Sequence, residues 1–248
     1  MKKINNTKVI SIDAATKSLA VACLNMQNIQ EQNTRFIELT RAITNGEITE
    51  SADLAAAFEE MNVLLTPIKI NSLQVVDLIP ERQVSKCGLI ERSAALVAFL
   101  HGLTDRLTSE NWLDTETHIV VEYQMGQNRK SGDIQTQIIY HFLQYLPASN
   151  IHIIGPSLKN KLHYPADLES RHSHHIAKYD TLYTANKSHT KYLFTKWLAT
   201  HKQMEYIYEI PKKNYADIAD AFCQAAAWFI LRQNRTDQSG QLQSAHFQ

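Results

Sequence analysis

Four acidic residues occupy positions where a protein core has no use for them. Asp13 ends the β-branched run Val9-Ile10-Ser11-Ile12, and Glu122 follows Ile119-Val120-Val121. Asp217 and Asp220 lie in the first turns of an otherwise apolar, alanine-rich stretch, and their i, i+3 spacing puts both on one face of a helix. Burying a lone carboxylate is very costly, so each needs a partner. Four converging carboxylates cannot neutralise one another, but hard oxygen donors of this kind hold Mg2+ or Mn2+. Two such ions about 3.5–4 Å apart stabilise both the attacking and the leaving oxygen of an in-line phosphoryl displacement. Taken singly, each acid has an ordinary explanation, such as a favourable place near a helix dipole or a loop-facing strand end. The set, a strand-end Asp, a strand Glu and a helical Asp-x-x-Asp, points to a metal site.

The elements that must position these acids can be read in outline. Residues 8–25 read as two strands around a short turn. Residues 25–50 are polar and poorly patterned, and 53–65, rich in Ala, Leu and Glu, suggest an extra helix. Residues 73–80 read as a third strand stopped by Pro80. Leu96, Leu100, Leu103 and Leu107 give 90–107 the spacing of an amphipathic helix. His118-Ile119-Val120-Val121-Glu122-Tyr123 is the clearest strand, and Ile134, Ile138, Phe142 and Leu146 predict a helix after it. Ile151-His152-Ile153-Ile154 is another strand. Residues 158–187 read as a long irregular connection, and connections of that length are usually functional or disordered. A helix follows over 189–200 with Leu193 and Trp197 inward. The last element, 214–232, has Asn214 as a natural N-cap, and the tail from 234 is polar. Strands followed by alternating helix and strand indicate an α/β domain with a mixed sheet.

Bulk properties agree. The 248 residues, 44% hydrophobic and 20% charged, suit one soluble domain, or one domain carrying an insertion. There is no run of about 18 apolar residues, and the basic start lacks the apolar stretch of a signal peptide. Cys23, Cys87 and Cys223 are far apart and odd in number, which fits buried thiols in a reducing compartment. Net charge is zero, yet unevenly spread: residues 155–213 hold ten Lys and Arg against five acids, together with six histidines. A basic sector beside an acidic remainder fits a protein that grips phosphates with one face.

Three segments resemble the RuvC-like Holliday junction resolvases of the RNase H-like superfamily, especially their poxvirus and mitochondrial branches. Ile10-Ser11-Ile12-Asp13-Ala14-Ala15-Thr16-Lys17-Ser18-Leu19-Ala20 is similar to the first motif, with Ala15 where the family usually has Gly and Ser18 where it often has Asn. Val120-Val121-Glu122-Tyr123-Gln124 is similar to the second. Lys212-Lys213-Asn214-Tyr215-Ala216-Asp217-Ile218-Ala219-Asp220-Ala221 is similar to the last and is the most specific of the three. The motifs span 8–232. The resemblance implies an RNase H-like α/β fold with a central mixed five-stranded sheet flanked by helices, a single nuclease domain over 1–233 with an insertion around 26–70, and a polar tail over 234–248. It implies that Asp13, Glu122, Asp217 and Asp220 are catalytic and bind two Mg2+ ions, with Mn2+ able to substitute. The implied reaction is hydrolysis of phosphodiesters in four-way junction DNA, by a homodimer that nicks opposite strands symmetrically. The absence of a membrane span or targeting signal and the poxvirus likeness together suggest a viral protein working in the host cytoplasm.

DNA contacts are expected from Lys17, Gln124, Arg129, Lys130, Lys159, Lys161, Lys187, Lys191, Lys212 and Lys213. Lysine is a good point-charge phosphate contact, although any one of them also makes sense as a solvated surface residue. Lys212 and Lys213 either meet the scissile strand or balance the carboxylates. His172, His174 and His175 have no cysteine nearby and read as a loop rather than a zinc site. Tyr123 has a shape suited to stacking on bases, whereas Trp197 reads as core. Two other functions fit the same motifs: an RNase H-like nuclease for other branched DNA or RNA–DNA hybrids, and a non-catalytic junction-binding protein. An actin-like ATPase is set aside for want of a glycine-rich phosphate loop among seven glycines.

Overall fold

Strand β1 (Asn5–Ala14) pairs antiparallel with β2 (Ser18–Asn28). β2 pairs antiparallel with β3 (Ile68–Asp77), with a register shift between Cys23 and Leu24. On its other side β1 runs parallel to β4 (Thr117–Glu122), and β4 runs parallel to β5 (Ile151–Ile154). The sheet therefore reads β3-β2-β1-β4-β5. This is the α/β class expected, a mixed five-stranded sheet with helices on both faces. The computed structural model describes residues 5–14, 18–28, 30–50, 52–53, 56–57, 60–61, 68–79, 88–123, 129–159 and 182–239.

The helices are α1 (Gln30–Thr44), α2 (Leu89–Ser109), α3 (Arg129–Phe142), α4 (Leu182–Thr200), the short α5 (Glu205–Glu209) and α6 (Tyr215–Ser239). Side chains alternate across each strand, and this divides the core in two. Ile10, Ile12, Leu19, Val21, Ile119 and Val121 pack under α2 and α3. Val9, Ala20, Ala22, Leu24 and Val120 pack under α1, α4 and α6. Helix α6 lies against this second face through Ile218, Ala219, Phe222, Cys223 and Ala226, all buried. Its small residues let a helix backbone come close to a sheet.

Several boundaries differ from those read in the sequence. Residues 30–44, expected to be unpatterned, form α1, which buries Phe36 and Leu39 in the core shared with α6. The described residues of 52–61 are helical, with Ala57 and Met61 buried. β3 begins at Ile68, five residues earlier than expected, because Ile68 and Ile70 point inward while Lys69 and Asn71 face solvent on the sheet edge. Helix α4 spans Leu182–Thr200, so its described start lies before the expected residue 189. Asn214 closes a 3-10 turn over Lys212–Asn214, and α6 continues to Ser239. Leu146 is buried but follows α3 rather than ending it. The α2 leucines, the α3 isoleucines and Trp197 are buried as their spacing required.

Candidate metal and phosphodiester site

The parity of the two central strands places the first two acids. β1 and β4 run parallel with Ile12 beside Val121, so the next residues, Asp13 and Glu122, lie in the last residues of neighbouring strands. Both follow the alternation of the face that carries Val9 and Val120. That is the face covered by α6, whose first turns bring Asp217 and Asp220 over the same strand ends. Asp220 is buried, with only 3% of its side chain exposed.

The four carboxylates do not meet bare. Lys159, just beyond β5, places Nζ 2.8 Å from Glu122 Oε2 and 3.1 Å from Asp220 Oδ2. Lys187, in the first half of α4, places Nζ 2.8 Å from Asp217 Oδ1. Thr190, one turn on and fully buried, donates to Asp220 Oδ1 at 2.5 Å. The Ser18 hydroxyl lies 3.5 Å from Asp217 Oδ2. Asp13 senses all of them. Burial pushes its carboxyl up to about 7, Glu122 adds to the rise, Lys159 opposes it, and Asp220 and Asp217 raise it further. Lys159 answers in kind: burial works against its charge, but the pull of Asp220, Asp13 and Glu122 holds its ammonium above the usual lysine range. The site thus concentrates negative charge and satisfies it with tethered ammonium groups.

Among the described residues, no three His, Cys, Asp or Glu side chains are drawn together at the spacing of a metal site. Lys159 stands between the acids instead. The donor set nonetheless fits hard divalent cations. It consists of carboxylate oxygens, and the place between Glu122 and Asp220 already holds a positive charge. Charge demand of this kind suits Mg2+ or Mn2+ and would not suit a soft metal.

The remaining site residues fall in three groups. Lys159 and Lys187, expected on the DNA backbone, sit among the acids. Lys191 and Lys212 are exposed, and Lys213 pairs with Asp77 on β3 at 3.3 Å, both side chains about half exposed. The acid that Lys213 pairs with here is an edge-strand aspartate and not one of the four carboxylates it was expected to balance. Lys17, Gln124, Lys161 and the histidines 172, 174 and 175 lie outside the described residues, as do the side chains of Arg129 and Lys130. Tyr123 is half exposed beside Glu122. Cys23 and Cys223 are free and buried, while Cys87 lies outside the described residues.

Two residues of the site were not singled out in the sequence, Thr190 and Gln224. Gln224 is one turn beyond Asp220 and 1% exposed. A lone amide in the run Ala221-Phe222-Cys223-Gln224-Ala225-Ala226-Ala227 was its signal, since buried polar groups need partners. Thr190 carried no such signal, being one hydroxyl in a polar helix start.

Among solved structures, the chain is similar to the Thermus thermophilus RuvC structure, at 10% identity over 92% of this chain and 98% of that one, with a TM-score of 0.47. It is similar to T. thermophilus RuvC in complex with Holliday junction substrate, at 12% identity, 92% and 98% coverage and a TM-score of 0.46. It is also similar to the Fowlpox virus resolvase in a complex with substrate Holliday junction DNA, at 13% identity, 91% and 98% coverage and a TM-score of 0.42. No family model matches the chain, and no curated protein does.

Proposed function

We propose that this chain is a divalent-metal-dependent endonuclease that resolves four-way DNA junctions, a member of the RuvC-like group that its three motifs resemble. The observation that carries the reading is the meeting of Asp13, Glu122, Asp217 and Asp220, from three remote segments, around the Lys159 and Lys187 ammonium groups. A stabilising ion pair needs one acid for each base, and burying more charge than that is costly. Four acids at one place make sense if the working partner carries more positive charge than two lysines.

Asp13, Glu122, Asp217 and Asp220 would hold the divalent ions. When bound, these ions supply Lewis-acid activation and neutralisation of charge at the phosphodiester. The chain's own residues do the rest. Strand ends β1 and β4 and the start of α6 fix the carboxylates, and Thr190 and Ser18 orient the two aspartates of α6. Lys159 and Lys187 pair with these acids before substrate arrives. Both have a flexible stem and a point charge able to turn onto a phosphate oxygen. Exposed Lys191 and Lys212 are placed to contact the backbone farther out. The products are a 5′-phosphate and a 3′-hydroxyl, and a homodimer presenting two such sites would nick two strands at equivalent positions.

Cleavage of an immobile four-way junction by the purified chain tests this, with both nicks mapped. Paired nicks at symmetry-related positions, dependent on Mg2+ or Mn2+, are expected. Intact junctions alongside efficient cutting of linear duplex or RNA–DNA hybrid would instead make it a nuclease of other substrates. Junction binding without cleavage or metal binding would make it a scaffold.

A further inference from the structure

We propose that Gln224 is a positioning residue of the carboxylate site, holding Glu122 from behind so that its carboxylate faces the other acids. The inference rests on the metal-site reading and deepens it. Gln224 projects from α6 one turn beyond Asp220, in a stretch where every neighbour from Ile218 to Ile230 is buried. Oriented to satisfy both of its neighbours, its amide donates to Glu122 Oε2 at 3.3 Å and accepts from the Glu122 backbone N–H at 3.2 Å.

Both bonds go to one residue, one to its main chain and one to its carboxylate. Together they fix where Glu122 sits and which way its side chain turns. Turned the other way, the amide nitrogen would instead donate to the Val120 carbonyl at 3.4 Å and the Ile12 carbonyl at 3.5 Å, so in either orientation the amide sits beside these strands. Ile12 precedes Asp13, so the amide is wedged beneath the two strand ends that carry the first two acids. Ala221 and Ala225 beside it leave room for the close approach this requires. Packing alone would be served as well by Leu or Met, without the cost of burying an amide. The polar choice is explained by what it holds. Lys159 Nζ binds the same Glu122 Oε2 at 2.8 Å, so this oxygen has a cationic partner as well as a neutral donor. Groups that hydrogen-bond a ligating carboxylate set its orientation, and losing one weakens metal binding about 10–100-fold.

The test is Mn2+ binding to the full chain by isothermal titration calorimetry. Three proteins are compared: wild type, Gln224→Met and the control Asn150→Leu. Methionine keeps the length and bulk of Gln224 and removes both bonds. Asn150 is a comparably buried amide that bonds the carbonyls of Thr115 and Thr117 at the far end of β4. Gln224→Met is expected to weaken Mn2+ binding by about 10-fold or more, and junction cleavage should recover as Mn2+ is raised. Asn150→Leu should bind Mn2+ as wild type does, however much its melting temperature falls. Should Gln224→Met not fold, Gln224→Asn, which keeps an amide one methylene short of Glu122, gives the same comparison. Unchanged Mn2+ affinity in the Gln224 variant, or an equal loss in Asn150→Leu, overturns the proposal. A wild type that binds no Mn2+ overturns the metal-site reading beneath it, a separate outcome.

Discussion

The two ends of helix α6 both press polar groups against the sheet, and they solve the problem in opposite ways. At its start, Asp217 and Asp220 face Glu122 and Asp13, and the charges are met by Lys159 and Lys187. About three turns later, Trp228 and Arg232 cover His118 on β4 and His152 on β5. There the two imidazoles bond each other at 3.1 Å, and the Arg232 guanidinium lies 3.2 Å from the His118 ring. The front sets its acids against ammonium groups. The rear keeps its histidines neutral, for burial, and then Arg232, pushes His118 down to about 4, while burial, Arg232 and His118 push His152 down to about 3. A surface that only needed to fold could have used the rear solution throughout, with little charge to bury. Acids gathered at the front are a cost that folding does not repay, which the proposed binding role would account for.

The largest expected effect lies at the front. If Asp13 holds a metal ion as proposed, Asp13→Asn removes one ligand oxygen and its charge at nearly constant shape. Loss of a group that only supports a ligand costs about 10–100-fold, so loss of a ligand should lower junction cleavage by at least about 100-fold. The same substitution should stabilise the metal-free protein. Asp13 has its carboxyl raised from 3.8 to about 7 in the fold. The folded chain therefore holds a proton that the unfolded chain has released, and that contribution to stability disappears as pH rises through 7. At pH 8 the Asn variant should melt higher than wild type by a few degrees, about 1 kcal/mol for a domain of this size. At pH 4 the two should melt together. A variant that is both inactive and less stable at pH 8 would mean that Asp13 is a structural acid.

Lys159→Met comes next and separates the two uses of charge. The lysine side chain is 12% exposed, Glu122 14% and Asp220 3%. Removing the base leaves partly buried acids uncompensated, a loss of order 2 kcal/mol once their remaining exposure is allowed for. If the ammonium stands where a divalent ion is wanted, the variant should bind Mn2+ more tightly than wild type. Added Mn2+ should then raise its melting temperature by more than it raises that of wild type. Equal shifts in both proteins would show that Lys159 and the metal do not compete.

Most of the front was legible in the sequence and most of what supports it was not. Asp13 and Glu122 announced themselves as charges closing apolar β-branched runs, and Asp217 and Asp220 by helical spacing inside an alanine-rich segment. Strand parity then dictates that Asp13 and Glu122 share a face. What pairs with them could not be read. Lys159 reaches Glu122 across 37 residues and Lys187 reaches Asp217 across 30, and no local pattern encodes such contacts. Helix α1 was missed for a different reason. Only a narrow stripe, chiefly Phe36 and Leu39, touches the core, so polar residues dominate the segment and hide its period. The start of β3 was missed because an edge strand alternates Ile68-Lys69-Ile70-Asn71 rather than presenting an apolar run.

The smallest effect, and the one that joins the two ends, is the dependence of stability on pH. At the rear, the folded histidines titrate near 4 and 3 against an ordinary value of 6.5. Below 6.5 the unfolded chain takes up protons that the folded chain refuses. This contribution is fully present above 6.5 and is lost as pH falls through about 4. Asp13 works in the opposite sense over an overlapping window, since its folded form holds a proton up to about 7. The two ends of α6 therefore offset each other between about 4 and 6.5, and wild type should show a flatter urea midpoint there than either end alone would give. Asp13→Asn removes the front contribution, so its midpoint should fall more steeply on acidification. His118→Gln with His152→Gln removes the rear one, so its midpoint should fall less steeply than that of wild type, or rise. Urea titrations at pH 7, 5.5 and 4.5 read both slopes. If the two variants change the slope in the same direction, the neutral rear and the charged front are not the opposed devices that their contacts describe.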